Sequence, residues 1–121
     1  MNPTSPERRE EPRLAAGFEA GALIRRVESE GGFGMVIHKG DAERGSLLLA
    51  VLERGKHRAF VERSLGAGGI YAWGLTGPAA ESPSRLSDFV AKRRNSDPDC
   101  WVIELDVPSA ERFIAETIGA G

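Results

Sequence analysis

Four carboxylates stand close together late in the chain: Asp97, Asp99, Glu104 and Asp106. Oxygen ligands in that density are what a hard cation such as magnesium takes. Their spacing argues against one shared ion. Glu104 and Asp106 sit two residues apart on one strand face, roughly 7 Å, and Asp99 belongs to the turn before them. Asp97-Pro98-Asp99 is equally the chemistry of a helix-to-strand turn, where aspartate accepts hydrogen bonds from nearby backbone amides. No metal is expected.

The second possible chemistry is nucleophilic. Cys100 is the sole cysteine, and His38 and His57 are the sole imidazoles. A reactive thiol needs a depressed pKa and a base beside it. Nothing around Cys100 has the spacing of a cysteine hydrolase. It reads as a small apolar core residue.

Basic residues cluster at Arg25-Arg26, Lys56-His57-Arg58 and Lys92-Arg93-Arg94, but Glu28, Glu30, Glu53 and Glu62 dilute them. Solvated faces explain these clusters, and no nucleic acid is expected. Gly66-Ala67-Gly68-Gly69 precedes a strand rather than a helix, so it lacks the helix N-terminus that a phosphate site needs. Gly31-Gly32-Phe33-Gly34-Met35-Val36-Ile37-His38 echoes the aromatic strand of RNA-recognition domains. It lacks that strand's basic residue and its later rings, so no stacking platform forms. Tyr71 and Trp73 share a strand face and read as core packing.

One convergent arrangement remains. Asp97, Asp99 and Trp101 at a helix-to-strand junction, with Arg25 and Arg26, would make a ligand-binding or catalytic site. That is the competing reading. No complete catalytic set is assigned and no cofactor is expected.

These residues must be positioned by the elements around them. Ser46 to Glu53 is the longest apolar run, closed by Gly45 and by Arg54-Gly55. Its length and punctuation predict a strand. Odd and even positions are both apolar, which places it inside a sheet covered front and back. An amphipathic helix is expected over about 14–30, with Ala20, Leu23, Ile24 and Val27 on one stripe. Gly17 and Gly21 within it either suit close packing on the sheet or mark a helix that begins only near Gly17. Strands follow at Phe33–His38, at the central run, at His57–Arg63 after a tight Arg54-Gly55 turn, and at Ile70–Trp73. A helix starts at Ser82-Pro83 with Ser82 as cap. A fifth strand covers Cys100–Val107, and a last helix opens at Ser109. The order α-β-β-β-β-α-β-α predicts an α+β domain: an antiparallel meander of four strands plus a fifth, with three helices packed on the sheet.

A two-residue turn at Arg54-Gly55 would put Leu48, Ala50, Leu52, Ala59 and Val61 on one face with His57. Leu47, Leu49, Val51 and Phe60 would then share the other. Two helices can cover one face. The remaining face would be less covered, and Leu47, Leu49, Val51 and Phe60 are the expected docking residues for a partner or a second copy. The leading reading is thus a non-catalytic interaction or self-associating module.

Composition fits these bounds. The chain has 121 residues, 40% hydrophobic and 28% charged, with net charge −2. That length suits one domain over 14–121, and residues 1–13, with three prolines and almost nothing apolar, read as a flexible arm. The first ten residues have no apolar core, so no signal peptide is expected. No run approaches the ~20 apolar residues of a membrane span. A lone cysteine fits a reducing compartment, and a cytoplasmic location is expected.

Leu23-Ile24-Arg25-Arg26 on its helix, the strand into His38-Lys39-Gly40, and Asp97-Pro98-Asp99-Cys100-Trp101-Val102-Ile103-Glu104 carry a resemblance. Together they resemble a family of small bacterial proteins of unknown function, over about residues 14–115 and in the same order. Asp-Pro-Asp-x-Trp is the most specific stretch. Members usually carry a larger apolar residue where Cys100 stands. The resemblance implies a compact cytoplasmic domain and transfers no catalytic residue.

Overall fold

In the computed structural model, which describes residues 15–65, 67–79 and 81–120, five strands form one sheet with helices on both faces. The expected arm at 1–13 lies outside the described residues. The elements are α1 (Ala16–Ser29), β1 (Phe33–His38), β2 (Leu47–Glu53), β3 (Lys56–Leu65), β4 (Tyr71–Thr76), α2 (Pro83–Ser96), β5 (Trp101–Asp106) and α3 (Ala110–Ala120). Between β3 and β4 the chain makes one short 3-10 turn over Ala67–Gly69. The class is α+β, as the element order implies.

The sheet order is β1-β5-β2-β3-β4. β2, β3 and β4 form the expected antiparallel meander. At β1 the connectivity departs from a four-strand meander. β5 inserts between β1 and β2, antiparallel to the first and parallel to the second. The physical reason is burial. Trp101, Val102, Ile103 and Leu105 are all buried, and a strand apolar on both faces belongs inside the sheet. β1 has four exposed apolar residues and takes the edge.

β2 is central, and Leu47, Leu48, Leu49 and Val51 have no exposed surface. Leu47, Leu49 and Val51 join Val61, Trp101, Ile103 and Leu105 beneath α1 and α3. Leu48 lies on the other face with Phe60, Cys100 and Val102, beneath Leu86, Phe89 and Val90 of α2. The expectation that Phe60 shares a face with Leu47, Leu49 and Val51 is corrected. Arg54 and Gly55 both have positive φ, 53° and 78°, as a tight two-residue hairpin turn requires. Beyond that turn Val51 pairs with Ala59 and Leu52 with His57, leaving Arg58 as an extra residue. This bulge moves Ala59 and Val61 to the face of α1 and α3, and Phe60 to the face of α2.

The helix ends show how the layers are tied. Ala15, at the N-cap position of α1, offers no side-chain cap. Instead Gly17 N–H donates to the Ala42 carbonyl at 2.9 Å and Ala16 N–H to that of Glu43 at 3.3 Å. These bonds satisfy amides that would otherwise lack a partner. Ser109 caps α3 as expected, accepting from Arg112 N–H at 3.4 Å, and Glu53 Oε1 accepts from Ala110 N–H at 2.9 Å. Ser82 does not cap α2 through its side chain. Its hydroxyl sits 3.3 Å from that of Ser84.

Candidate functional site

Asp97, Asp99 and Trp101 meet at the start of β5, but as parts of a backbone clasp. The loop before β2 crosses over this strand end. Asp41 N–H donates to the Asp99 carbonyl at 3.0 Å, and Trp101 N–H to the Ser46 carbonyl at 2.8 Å. Trp101 Nε1–H donates to the Asp41 carbonyl at 2.7 Å. The Ser46 hydroxyl donates to Asp97 Oδ2 at 2.8 Å. Asp41 folds the loop on itself: its Oδ1 accepts from the amides of Glu43, 2.8 Å, and Arg44, 3.2 Å. Those amides, Glu43 first, hold the Asp41 carboxyl below its ordinary pKa. The crossing is close. A Cβ on Gly40 would stand 2.1 Å from the Asp99 carbonyl oxygen, and one on Gly45 would stand 2.2 Å from it. α1 rests on Trp101 at Gly17, where a Cβ would make ordinary contact with the ring at 3.4 Å.

Arg25 and Arg26 are elsewhere. α1 starts over Ala42 and Trp101 and ends near Asp106, where Gly32 packs. The six residues of β5 separate the two ends by roughly 17 Å. Arg26 pairs with Glu30 and Glu116, both at 3.7 Å, and its guanidinium lies 5.2 Å from the Phe113 ring centre. Arg25 is exposed on the helix. The five residues expected to converge as a ligand site therefore do not. Asp97, Asp99 and Trp101 hold the clasp, while Arg26 joins α1 to α3.

The other chemistry-bearing residues are dispersed too. Cys100 is buried in the layer under α2. His57 reaches the Pro78 carbonyl at 3.1 Å and packs on Phe60, ring centres 4.4 Å apart. His38 is exposed at the end of β1. Among the described residues, no three His, Cys, Asp or Glu side chains gather as metal ligands. Arg93 bonds Glu62, Arg58 bonds Glu53 at 3.0 Å, and Arg94 reaches the Pro98 carbonyl at 3.2 Å. Arg63 is buried, bonded to Glu19 of α1 and 5.3 Å from the Tyr71 ring centre. Trp73 is half-buried against the core under α1 and α3, and Tyr71 is exposed.

The surface the structure leaves open was not assigned from the sequence. α1 and α3 both pack on one face, whereas α2, which has no fully buried residue, reaches only part of the other. Beyond it lies an open groove of about 740 Å3, lined by Ala50, Leu52, Lys56, His57, Leu86 and Glu104 among others. Glu104 pairs across to Met35, and Asp106 to Phe33, so β1 carries this face to the sheet's edge. Phe33, Met35, Val36 and Ile37 are all at least 39% exposed. The strand at Phe33–His38 was legible; its place at an edge depended on β5 displacing it from β2. A smaller groove of about 560 Å3 lies between α3 and the β3–β4 pair, with Ala59, Leu75, Ile114 and Ala115 in its walls. Leu47, Leu49, Val51 and Phe60, expected as docking residues, are core residues filled over by the chain's own helices.

No helix among the described residues is long and apolar enough to cross a membrane. Comparison with curated proteins finds no match. Among solved structures, the crystal structure of a DUF1491 family protein from Caulobacter crescentus is similar, with 30% identity and a TM-score of 0.70 over 84% of this chain and 94% of that one. An NMR structure of a DUF1491 family protein from the same organism gives 28% identity and a TM-score of 0.70, over 80% and 88% of the two chains. A protein from A. tumefaciens shares the fold at 22% identity and TM-score 0.70, over 88% of this chain and 92% of that one. The family described as protein of unknown function (DUF1491) matches residues 14–115. The chain belongs to that family.

Proposed function

We propose that this domain is a non-catalytic interaction module that docks a second copy of itself on the less covered face of its sheet. The unequal cover of the two faces carries the reading. α1 and α3 together pack on one face, leaving a groove beside β4, and α2 alone covers part of the other. The open half presents Phe33, Met35, Ala50 and Leu52, with Lys56, Glu81 and Glu104 near them. An apolar centre with a charged rim is how association surfaces are built. The dispersal of Cys100, His38, His57 and the carboxylates supports a role without chemistry of its own.

Size-exclusion chromatography with light scattering tests it. The expected result is a mass of twice the 13.0 kDa chain at micromolar concentration. Met35→Lys, on the open half, is expected to return the monomer with its melting temperature unchanged within a few degrees. A wild-type monomer throughout the micromolar range overturns the reading.

A further inference from the structure

The free edge of β1 has a feature that fixes how two copies would meet. β1 is the first strand of the sheet, and among the described residues no strand pairs with its outer side. Natural sheets guard such edges with charge, proline or inward bends. Phe33-Gly34-Met35-Val36-Ile37-His38 contains no lysine, no acid and no proline. Its one irregularity is the bulge against β5 between Val36 and His38. Phe33 and Met35 are exposed on the groove's face, Val36 on the opposite face, and Ile37 at the bulge.

We propose that two copies join edge to edge through antiparallel β1–β1 pairing, extending the five-stranded sheet into a continuous ten-stranded one across a two-fold axis near Met35. This rests on the self-association proposed above and adds its geometry. The charges at the ends of the strand carry the inference. Glu30, exposed, 3.7 Å from Arg26 and the C-cap of α1, stands three residues before β1, and the exposed Lys39 follows it directly. With Met35 near the axis, antiparallel pairing brings Glu30 of one copy to within a residue or so of Lys39 of the other. The two-fold axis repeats that contact. Phe33 of each copy then stands opposite Ile37 of the other. Because Phe33 and Met35 lie on the groove's face of the sheet, the open half of one copy continues into that of its partner.

The other edge lacks this complementarity. β4 is flanked by Gly68-Gly69-Ile70 and Gly77-Pro78-Ala79, with no charges of opposite sign at its two ends. Pairing β1 with the β4 of another copy would be head-to-tail and would not close.

A charge swap in the full chain tests the geometry. Glu30→Lys and Lys39→Glu each place like charges together twice per dimer. Each is expected to weaken dimerisation about 3- to 10-fold by analytical ultracentrifugation, given the modest strength of exposed pairs. The double variant restores the pairs with reversed sense and is expected to recover the wild-type dissociation constant within about twofold. Both positions are exposed, and unchanged thermal melting checks that the variants fold. Single variants as tight as wild type, or a double variant no tighter than the singles, overturn the β1 pairing while leaving self-association standing. Loss of the dimer in Leu75→Lys on β4, with Met35→Lys unaffected, also overturns it. A monomeric wild type overturns both this inference and the reading beneath it.

Discussion

Replacing Gly40 by alanine tests whether the crossing of the β1–β2 loop over the start of β5 holds the fold together. The new Cβ would stand 2.1 Å from the Asp99 carbonyl oxygen and 2.8 Å from the carbonyl carbons of Asp99 and Cys100. All three are backbone atoms, so no side chain can swing aside. Relief needs the loop to lift by roughly 1 Å. That movement breaks the 3.0 Å bond from Asp41 N–H to the Asp99 carbonyl and strains the 2.7 Å bond from Trp101 Nε1–H to the Asp41 carbonyl. Overpacking of this kind costs about 1–3 kcal/mol, and each lost bond about 1 kcal/mol. A total of about 2–4 kcal/mol is expected, a large share of the 5–15 kcal/mol typical of a domain. It corresponds to a fall in Tm of about 10–20 °C. Two other glycines separate crowding from backbone conformation. Gly55 has φ +78° with nothing within 4 Å, so alanine there costs about 1 kcal/mol from the left-handed conformation alone. Gly74 has open space and no positive φ, so its alanine variant should fall within about 0.5 kcal/mol of wild type. Urea unfolding followed by the fluorescence of Trp101 and Trp73 gives all three values. Gly40→Ala costing no more than Gly55→Ala would refute the clasp.

Two further outcomes are expected. Leu49 has no exposed surface and lies under α1 and α3, so Leu49→Lys should abolish folding and Leu49→Ala should cost about 2–5 kcal/mol by urea titration; a folded, soluble Leu49→Lys variant would contradict its place in the core. Glu53 has its carboxyl pKa lowered first by the Ala110 amide and then by Arg58 and Arg54. A carboxyl depressed on folding contributes stability above its unfolded value of about 4.3, lost as the pH falls through the lower folded value. Glu53→Gln should therefore flatten the acid limb of the stability curve, and an unchanged limb would remove Glu53 from that role.

Much of the fold was legible because local rules and burial agreed. Leu47–Leu52 is apolar at every position, odd and even, which suits a strand covered on both faces. Its place inside the sheet followed, and so did the tight turn at Arg54-Gly55, where two positive φ values suit a hairpin. The Asp-Pro-Asp stretch was readable as a helix-to-strand turn, and the Cys100 amide bonds the Asp97 carbonyl there, but the Asp97 carboxylate accepts from the distant Ser46 hydroxyl and not from a nearby amide. What escaped was non-local. The bulge at Arg58 leaves no mark in alternation, yet it transfers Phe60 to the other face. Nothing near residues 33–38 says that a strand some 65 residues later will slide between β1 and β2.

The sequence by itself determined the elements, the two-sided burial of β2 and the α+β class, because periodicity and turn residues act within a few positions of one another. Only the tertiary structure decided which helix covers which face, that Arg25 and Arg26 stand a strand's length from Asp97 and Asp99, and that β1 is left at the edge with its apolar side chains exposed. Those outcomes depend on competition for burial among strands distant in the chain. β5, which buries Trp101, Ile103 and Leu105 on one side and Val102 on the other, loses more by exposure than β1 does, and so it takes the inner place.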